Sequence, residues 1–297
     1  TAVCVIFYSM HEENIPELSG HRTMASVPFG GRYRMIDFTL SNMVNAGITT
    51  VGLMTKTNYQ SLIDHIGSGK EWDLARKDGG IVLLPPYIDE NETVITTRLE
   101  ALKGIIGFLD RCKQDYVVLS DCDGVARMDL QAVIAFHEQK GADITMVTHN
   151  QPVVRTHYYM TVKSDKEDRV TEIRINPPAK GRADVFVNVM ILRRNYLIDI
   201  VRNAIACGYT SFGRDILLKS VDTAKIYDYK FEGYYGGITS MTAYFKHNME
   251  LLDADVRREL FGARDIYTKV KDSAPSEYGK NAKVSNSLIS DGCEIYG

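Results

Sequence analysis

Asn-Met-Val-Asn-Ala-Gly-Ile, residues 42–48, is the stretch that decides the fold class. Gly47 can close a helix in the left-handed conformation that glycine adopts easily, and a strand is predicted directly afterwards, near Thr50. The same arrangement recurs at Gly141, before an apolar run that begins at Ile144. Two junctions of this kind indicate helices that lead straight into strands, as in α/β proteins.

Short apolar runs alternate with longer amphipathic stretches through the first two-thirds of the chain. This alternation is typical of βαβ units on a largely parallel sheet. We therefore predict a three-layer α/β/α sandwich over residues 1–250. The predicted strands cover residues 3–7, 51–54, 117–120, 144–148 and 185–192, and the predicted helices cover residues 38–46, 59–66, 98–112 and 130–140.

The sequence pattern changes after residue 250. Residues 251–283 are polar and include the stretch Ser-Ala-Pro-Ser at 273–276, so we predict a linker there. Residues 284–297 space their apolar side chains and glycines roughly as the hexapeptide coils of a left-handed β-helix do. Since a repeat array needs about three coils to bury a core, we expect these residues to be the beginning of a truncated β-helix domain.

The composition indicates a globular chain whose partners are small molecules or proteins. With 44% hydrophobic residues among 297, it can bury one large core or two modest ones. Its formal net charge is -3, with both signs mixed along the chain, which argues against nucleic acid or an anionic membrane as a partner. No apolar run approaches the about 20 residues of a membrane-spanning helix, and the first residues lack a basic signal segment, so we expect a cytoplasmic protein.

The most specific segment is residues 29–42, Phe-Gly-Gly-Arg-Tyr-Arg-Met-Ile-Asp-Phe-Thr-Leu-Ser-Asn. It resembles the F-G-G-K-[FY]-R-[IM]-I-D-F-x-L-S-N motif of bacterial glucose-1-phosphate adenylyltransferases, the ADP-glucose pyrophosphorylases of glycogen synthesis. Residues 211–216, Ser-Phe-Gly-Arg-Asp-Ile, are similar to the D-F-G-K-D segment of that family. The resemblance covers the whole chain and implies a nucleotidyltransferase fold of the GT-A/Rossmann-like kind.

The resemblance also implies a reaction between two phosphorylated substrates. In that family ATP and glucose 1-phosphate bind with magnesium, and the sugar phosphate attacks the α-phosphorus of ATP in line. Such a site needs backbone amides and cations around the phosphates, and carboxylates around the metal. The family motifs therefore identify the positions at which this sequence would have to supply them.

Several of these positions have lost the residue that the motif requires. The nucleotide loop L-A-G-G-x-G-T-R-L corresponds to residues 7–15, which contain no glycine and have Asn14 at the arginine position. The lysine before F-G-G corresponds to Met24, and the sugar-phosphate lysine of E-K-P corresponds to Asn176, which carries no charge. Arg98 is expected to project where the base-pocket segment G-T-A-D-A has a small residue.

The metal-binding positions keep one of two aspartates. The first, in A-G-D-H, corresponds to Asp123, with Asp121 as a neighbouring substitute ligand; the second, in W-R-D-V-G-T, corresponds to Gly237. We therefore predict weak magnesium binding, impaired ATP binding and no intact catalytic set. Arg32, Arg34 and Asn176 are candidates for binding an anion or substrate, although basic residues such as Arg32 and Arg34 more often form ion pairs at surfaces or between elements.

The retained scaffold and lost charges together resemble the D-type, non-catalytic partner subunit of bacterial glycogen synthesis. This implies a regulatory subunit that assembles with the catalytic glucose-1-phosphate adenylyltransferase, as a hetero-tetramer, and raises its activity. Two alternatives stay open: a slow but genuine adenylyltransferase that uses Asp123, and a glycosyltransferase whose metal is held by the D-x-D motif of residues 121–123. In a purely structural interpretation, Asp121 or Asp123 caps the following turn.

Overall fold

The computed structural model describes residues 1–7, 15–55, 58–85, 97–154 and 158–297. Strands and helices alternate along most of this length. The strands are β1 (Ala2–Ile6), β2 (Pro28–Phe29), β3 (Tyr33–Arg34), β4 (Thr50–Met54), β5 (Gly80–Leu84), β6 (Tyr116–Ser120), β7 (Gly124–Ala126), β8 (Ile144–Pro152), β9 (Met160–Ser164), β10 (Val170–Ile175), β11 (Arg182–Arg193), β12 (Ile226–Lys230), β13 (Tyr235–Gly237), β14 (Glu277–Tyr278) and β15 (Glu294–Ile295). The helices are α1 (Pro16–Ser19), α2 (Met35–Asn45), α3 (Gln60–Ile66), α4 (Arg98–Gly104), α5 (Ile106–Arg111), α6 (Leu130–Lys140), α7 (Arg194–Ala206), α8 (Leu218–Ser220), α9 (Met241–Glu250) and α10 (Ala254–Phe261).

Within the described ranges, nine strands form one mixed sheet at the centre of the molecule. β5, β4, β1 and β6 pair in parallel in that order, and β8 and β12 form a second parallel pair. The long strand β11 joins the two groups because it runs antiparallel to β6, β8 and β9, and β10 pairs antiparallel with β9. The sheet is therefore the α/β scaffold that the alternating pattern predicts, with antiparallel strands around β11.

Strand β1 shows why helices cover both faces of the sheet. Val3 and Val5 belong to a hydrophobic core that α4, α5 and α7 complete, whereas Cys4 and Ile6 belong to a second core that α2, α3 and α6 complete. Successive side chains of a strand point to opposite faces, so an uninterrupted apolar run needs a helical layer on each side. The predicted three-layer sandwich is confirmed.

Both predicted junctions between helix, glycine and strand are present. Gly47, with φ of 75°, stands between α2 and β4, and Gly141, with φ of 56°, stands between α6 and β8. The helix predicted over residues 98–112 is instead two helices, α4 and α5, which meet at Ile105. Glycines at 104 and 107 flank this break, and glycine weakens a helix interior.

A third core is built from residues 15–38, Val125 and residues 238–266. It joins the β2–β3 hairpin to α2 and α10, and Leu260 and Ile266 are buried in it although they lie in the segment predicted as a linker. Beyond it, β14 and β15 form one short parallel pair. The domain boundaries and the β-helix beginning at residue 284 stay predictions. No helix of the described residues is long and apolar enough to span a bilayer.

Candidate functional site

A cleft of about 570 Å³ opens beside the end of β6. Asp121 and Asp123 follow β6 directly, and Asp123 lines this cleft. The carboxyl ends of parallel strands are the usual binding edge of an α/β sheet, because side chains from several loops meet there. The two tyrosine pairs, Tyr158 with Tyr159 and Tyr234 with Tyr235, also line the cleft.

Asp121 forms a buried ion pair with Arg98. Nη2 of Arg98 donates to Oδ1 of Asp121 at 2.6 Å, and their side chains are 8% and 0% exposed. Arg98 is the first residue of α4, whose start is fixed by a capping box: the N–H of Glu100 donates to Oγ1 of Thr97, and the N–H of Thr97 donates to Oε2 of Glu100, each at 3.2 Å. The cap therefore directs the guanidinium towards β6.

The guanidinium of Arg98 also lies over an aromatic ring. Its central carbon is 5.1 Å from the ring centroid of Phe7, the residue that follows β1. An arginine held between a carboxylate and a ring is oriented by both contacts. A fixed positive charge thus stands where the family motif of the base pocket has a small residue. Asn14, the predicted loss in the nucleotide loop, lies outside the described residues.

Asp123 is buried and held by strand β11. Its Oδ2 accepts a hydrogen bond of 3.3 Å from Nδ2 of Asn188, and its backbone oxygen accepts one of 2.8 Å from the N–H of Ile238. Asn188 has φ of 59° and lies between Phe186 and Met190, where the pairing of β11 with β8 is irregular. This left-handed residue turns its amide towards Asp123, which sequence analysis did not anticipate.

The burial of Asp123 changes its acidity. Loss of water around the carboxylate raises its pKa to about 6, although a backbone hydrogen bond, Arg98 and Asn188 act in the opposite direction. The neutral, protonated form of Asp123 is therefore favoured more than that of an aspartate in water. A metal ion must compete with this proton, because carboxylate ligands bind metals in their ionised form.

Gly237, at the second aspartate position, is covered by a tyrosine ring. Gly237 pairs with Gly124 in the short antiparallel ladder of β13 and β7. A Cβ on Gly237 would lie 3.2 Å from the ring of Tyr235, and one on Gly124 would lie 2.6 Å from the same ring. Tyr235 therefore occupies the space in which a side chain from this ladder would approach Asp123.

These residues do not fit the magnesium ion that the resemblance implies. Magnesium prefers octahedral oxygen coordination and is usually held by one or two carboxylates. Asp121 is engaged by Arg98, Asp123 is hydrogen-bonded to Asn188, and position 237 has no carboxylate. In the described part of the chain, no group of three or more His, Cys, Asp or Glu could hold a metal ion.

Three of the predicted site residues lie away from the cleft. Nη1 of Arg34 donates to the backbone oxygen of Ser61 at 2.9 Å and to its Oγ at 2.6 Å, which ties β3 to α3. Arg32 is exposed, and Met24 is fully buried in the third core. None of the three is among the described residues that line the cleft.

Asn176 positions one side of the cleft through the backbone. Its side-chain oxygen accepts from the N–H of Tyr159 at 2.9 Å, and its own N–H donates to the oxygen of Tyr159 at 2.9 Å. Asn176 has φ of 49°, a conformation that asparagine tolerates better than most residues. The amide that was predicted to contact a substrate therefore fixes Tyr159, which lines the cleft.

A network on α9, which sequence analysis missed, forms another wall. Oη of Tyr234 donates to Oε2 of Glu250 at 2.7 Å, and Nδ1 of His247 lies 2.8 Å from the same oxygen. Burial lowers the pKa of His247, an effect that the neighbouring Glu250 partly opposes. The spacing of three residues between His247 and Glu250 on a helix is the one signal in the sequence that could have indicated this contact.

The fold and the positions around this cleft define the class of protein. The chain belongs to the nucleotidyl transferase family, whose sequence pattern matches residues 16–253. More narrowly, several of its relatives carry the name glucose-1-phosphate adenylyltransferase. The protein of that name from Thermosipho melanesiensis is 34% identical over 281 residues, which are 92% of this chain and 67% of the relative.

Two further relatives extend the comparison. A glucose-1-phosphate adenylyltransferase of Clostridium botulinum is 34% identical over 277 residues, covering 92% of this chain and 72% of the relative. The glycogen biosynthesis protein GlgD of Bacillus subtilis is 31% identical over 294 residues, covering 99% of this chain and 76% of the relative. The chain thus spans about two thirds to three quarters of the length of these relatives, and it contains the nucleotidyl transferase region in which the cleft lies.

Proposed function

We propose that this chain is a catalytically impaired, regulatory partner of a glucose-1-phosphate adenylyltransferase in glycogen biosynthesis. The observation that carries the proposal is the buried ion pair between Arg98 and Asp121. In this pair Arg98 engages the carboxylate of Asp121 and also fills the base-pocket position. In addition, Gly237 leaves the second metal position without a carboxylate. Two phosphorylated substrates and a metal would therefore meet few of the charges that their reaction needs.

The similarity to these relatives supports a role in glycogen biosynthesis. The chain is about as similar to GlgD of Bacillus subtilis as to proteins named for the enzyme activity. We propose that it assembles with the catalytic subunit, as a hetero-tetramer, for the synthesis of ADP-glucose in the cytoplasm. In this proposal ATP binds weakly to this chain, and the rate is raised at the active site of the partner.

The principal alternative is a slow adenylyltransferase that uses Asp123. This alternative is supported by the cleft, which is open, large enough for a sugar phosphate and lined by Asp123. A glycosyltransferase that relies on the D-x-D motif has less support, since one of its two aspartates is engaged by Arg98.

The deciding experiment mixes the purified chain with its catalytic homologue at increasing ratios and follows ADP-glucose formation. We expect the rate, or its response to effectors, to change and to saturate at a fixed ratio, and we expect a stable complex in gel filtration. Alone, the chain should be at least about 1,000-fold slower than the homologue, as expected for the loss of more than one electrostatic contact. No change in rate, effector response or assembly would remove the proposal.

Activity of the chain alone has its own test. Turnover that disappears in Asp123→Asn and persists in Asp222→Asn would favour the slow adenylyltransferase. Asp222 is a suitable control because it is an exposed carboxylate that does not line the cleft. The two hypotheses thus give opposite results for the chain without its partner.

A further inference from the structure

The charge that compensates Asp121 comes from the chain itself. A carboxylate removed from water is stable only when a cation or several hydrogen bonds compensate it. The resemblance places a divalent cation at Asp123, two residues away, with Asp121 as a possible second ligand. Here Nη2 of Arg98 lies 2.6 Å from Oδ1 of Asp121, and an arginine keeps its charge at every pH at which a protein folds.

The same guanidinium also acts on the cleft. Its positive charge favours the ionised forms of both Asp123 and Tyr158, which line the cleft, and so lowers their pKa values against the effect of burial. Arg98 therefore acts on Asp123, which corresponds to the metal-binding position, and on its neighbour Asp121.

Arg98 has little freedom to leave this place. The capping box of Thr97 and Glu100 fixes the start of α4, and the ring of Phe7 lies against the guanidinium. Only 8% of the arginine side chain is exposed. A guanidinium that is fixed by its helix, by a ring and by a carboxylate cannot be displaced without leaving Asp121 buried and uncompensated.

We propose that Arg98 is a built-in replacement for the divalent cation, so that Asp121 and Asp123 exclude magnesium instead of binding it weakly. A guanidinium and a divalent cation beside the same two carboxylates would repel each other strongly in a site with little water. The inference does not depend on the proposed partner role, because it concerns cation binding by this chain alone.

The test uses Mn²⁺, because the free ion can be counted by electron paramagnetic resonance. We expect the unmodified chain to bind no Mn²⁺ at up to about 1 mM, the range of weak protein sites. Arg98→Met, which keeps the bulk and removes the charge, should bind one Mn²⁺ at least about tenfold more tightly. Adding Asp123→Asn to that variant should abolish the gain.

Arg194→Met is the matched control. Arg194 is partly buried, and its Nε and Nη1 donate to the backbone oxygens of Gln114 and Leu109 at 2.8 and 3.2 Å. Loss of this arginine should not create a cation site. The inference is overturned if folded Arg98→Met gains no Mn²⁺ binding, or if the unmodified chain binds Mn²⁺ in a manner that Asp123→Asn removes.

A melting experiment on the unmodified chain covers the case in which Arg98→Met does not fold. A ligand of the folded state raises the melting temperature, so about 10 mM MgCl₂ should leave it unchanged if the site excludes the ion. A rise in melting temperature that is absent from Asp123→Asn would contradict the inference without any variant of Arg98.

Discussion

At the scale of single residues, the site is defined by contacts that no motif could show. Register with the family motifs places Asp123 and Gly237 at the metal-binding positions and predicts that Arg98 projects into the base pocket. The contact between Arg98 and Asp121 could not be predicted in this way, because it depends on how α4 packs against β6. The same holds for Asn188, whose left-handed backbone is needed to reach Asp123.

Removing Asp121 should cost much more stability than removing the whole ion pair. Asp121→Ala leaves a buried guanidinium without its carboxylate, so we expect the free energy of unfolding to fall by about 3 kcal/mol. The double variant Arg98→Met with Asp121→Ala leaves no uncompensated charge and should recover part of that loss. Urea unfolding of the two single variants and the double variant measures the coupling. Additive losses would show that the pair contributes nothing as a pair.

Two glycines should respond to alanine in opposite directions. Gly141 has φ of 56° and open space around its Cβ position, so Gly141→Ala should lower the free energy of unfolding by about 1–2 kcal/mol through backbone strain alone. Gly107 lies exposed within α5, where a Cβ would meet only Nη1 of Arg111 at 3.6 Å. Gly107→Ala should stabilise by about 0.5–1 kcal/mol. Equal effects in chemical denaturation would contradict this assignment of helix and junction.

At the scale of helices and strands, the sequence predicted what a local apolar pattern can determine. The runs at residues 3–7, 117–120 and 144–148 are strands of the sheet, since buried strands need apolar side chains on both faces. The way in which these strands pair could not be predicted from the same pattern. β11 runs antiparallel to three neighbours, and the direction of a strand depends on the path of the chain between strands and not on the strand itself.

The packing of α6 against β8 should make stability depend on pH. Burial and the charge of Arg193 lower the pKa of His137 to about 4, although Asp143 opposes them; Nδ1 lies 2.8 Å from Oγ1 of Thr145 and the ring meets that of Tyr116. Between about pH 6.5 and 4 the unfolded chain binds a proton that the folded chain does not, so stability falls as the pH falls.

His137→Gln removes this proton and should flatten the pH dependence. The difference in slope between the two proteins should approach, at most, about 1.4 kcal/mol per pH unit within that window and vanish above about pH 7. Urea unfolding at several pH values measures it. An unchanged slope would mean that His137 takes up its proton equally in the folded and unfolded states.

At the scale of the whole molecule, the cores of the sandwich are complete before the carboxyl-terminal residues. In the two cores that cover the faces of the sheet, the last buried residue is Ile226 and the last partly buried one is Tyr235. The last buried residue of the third core is Ile266, and the partly buried Leu288 packs against that core. The cleft sits between the sheet and α9, so its walls also belong to this part of the chain. The first part of the predicted linker, up to Ile266, therefore packs with the cores, although its polar composition predicted that it would not.

A chain that ends after residue 276 should keep the sandwich. None of the described residues after Thr268 is buried, so their removal takes away little apolar contact. We expect the circular dichroism spectrum to be retained and the melting temperature to change by less than about 4 °C. Cooperative unfolding that disappears on truncation would show that β14 and β15 are required by the cores.

The left-handed turn of β11 at Asn188 limits which amino acids that position can accept. Glycine would adopt φ of 59° but offers no amide to Asp123, and aspartate would adopt it but would set one acid against another. Residues branched at Cβ would be excluded by their own backbone. Asparagine meets both requirements, because it tolerates a left-handed backbone and its side-chain amide donates to Asp123. We therefore expect homologous sequences that keep both the bend and the acid to favour asparagine at this position.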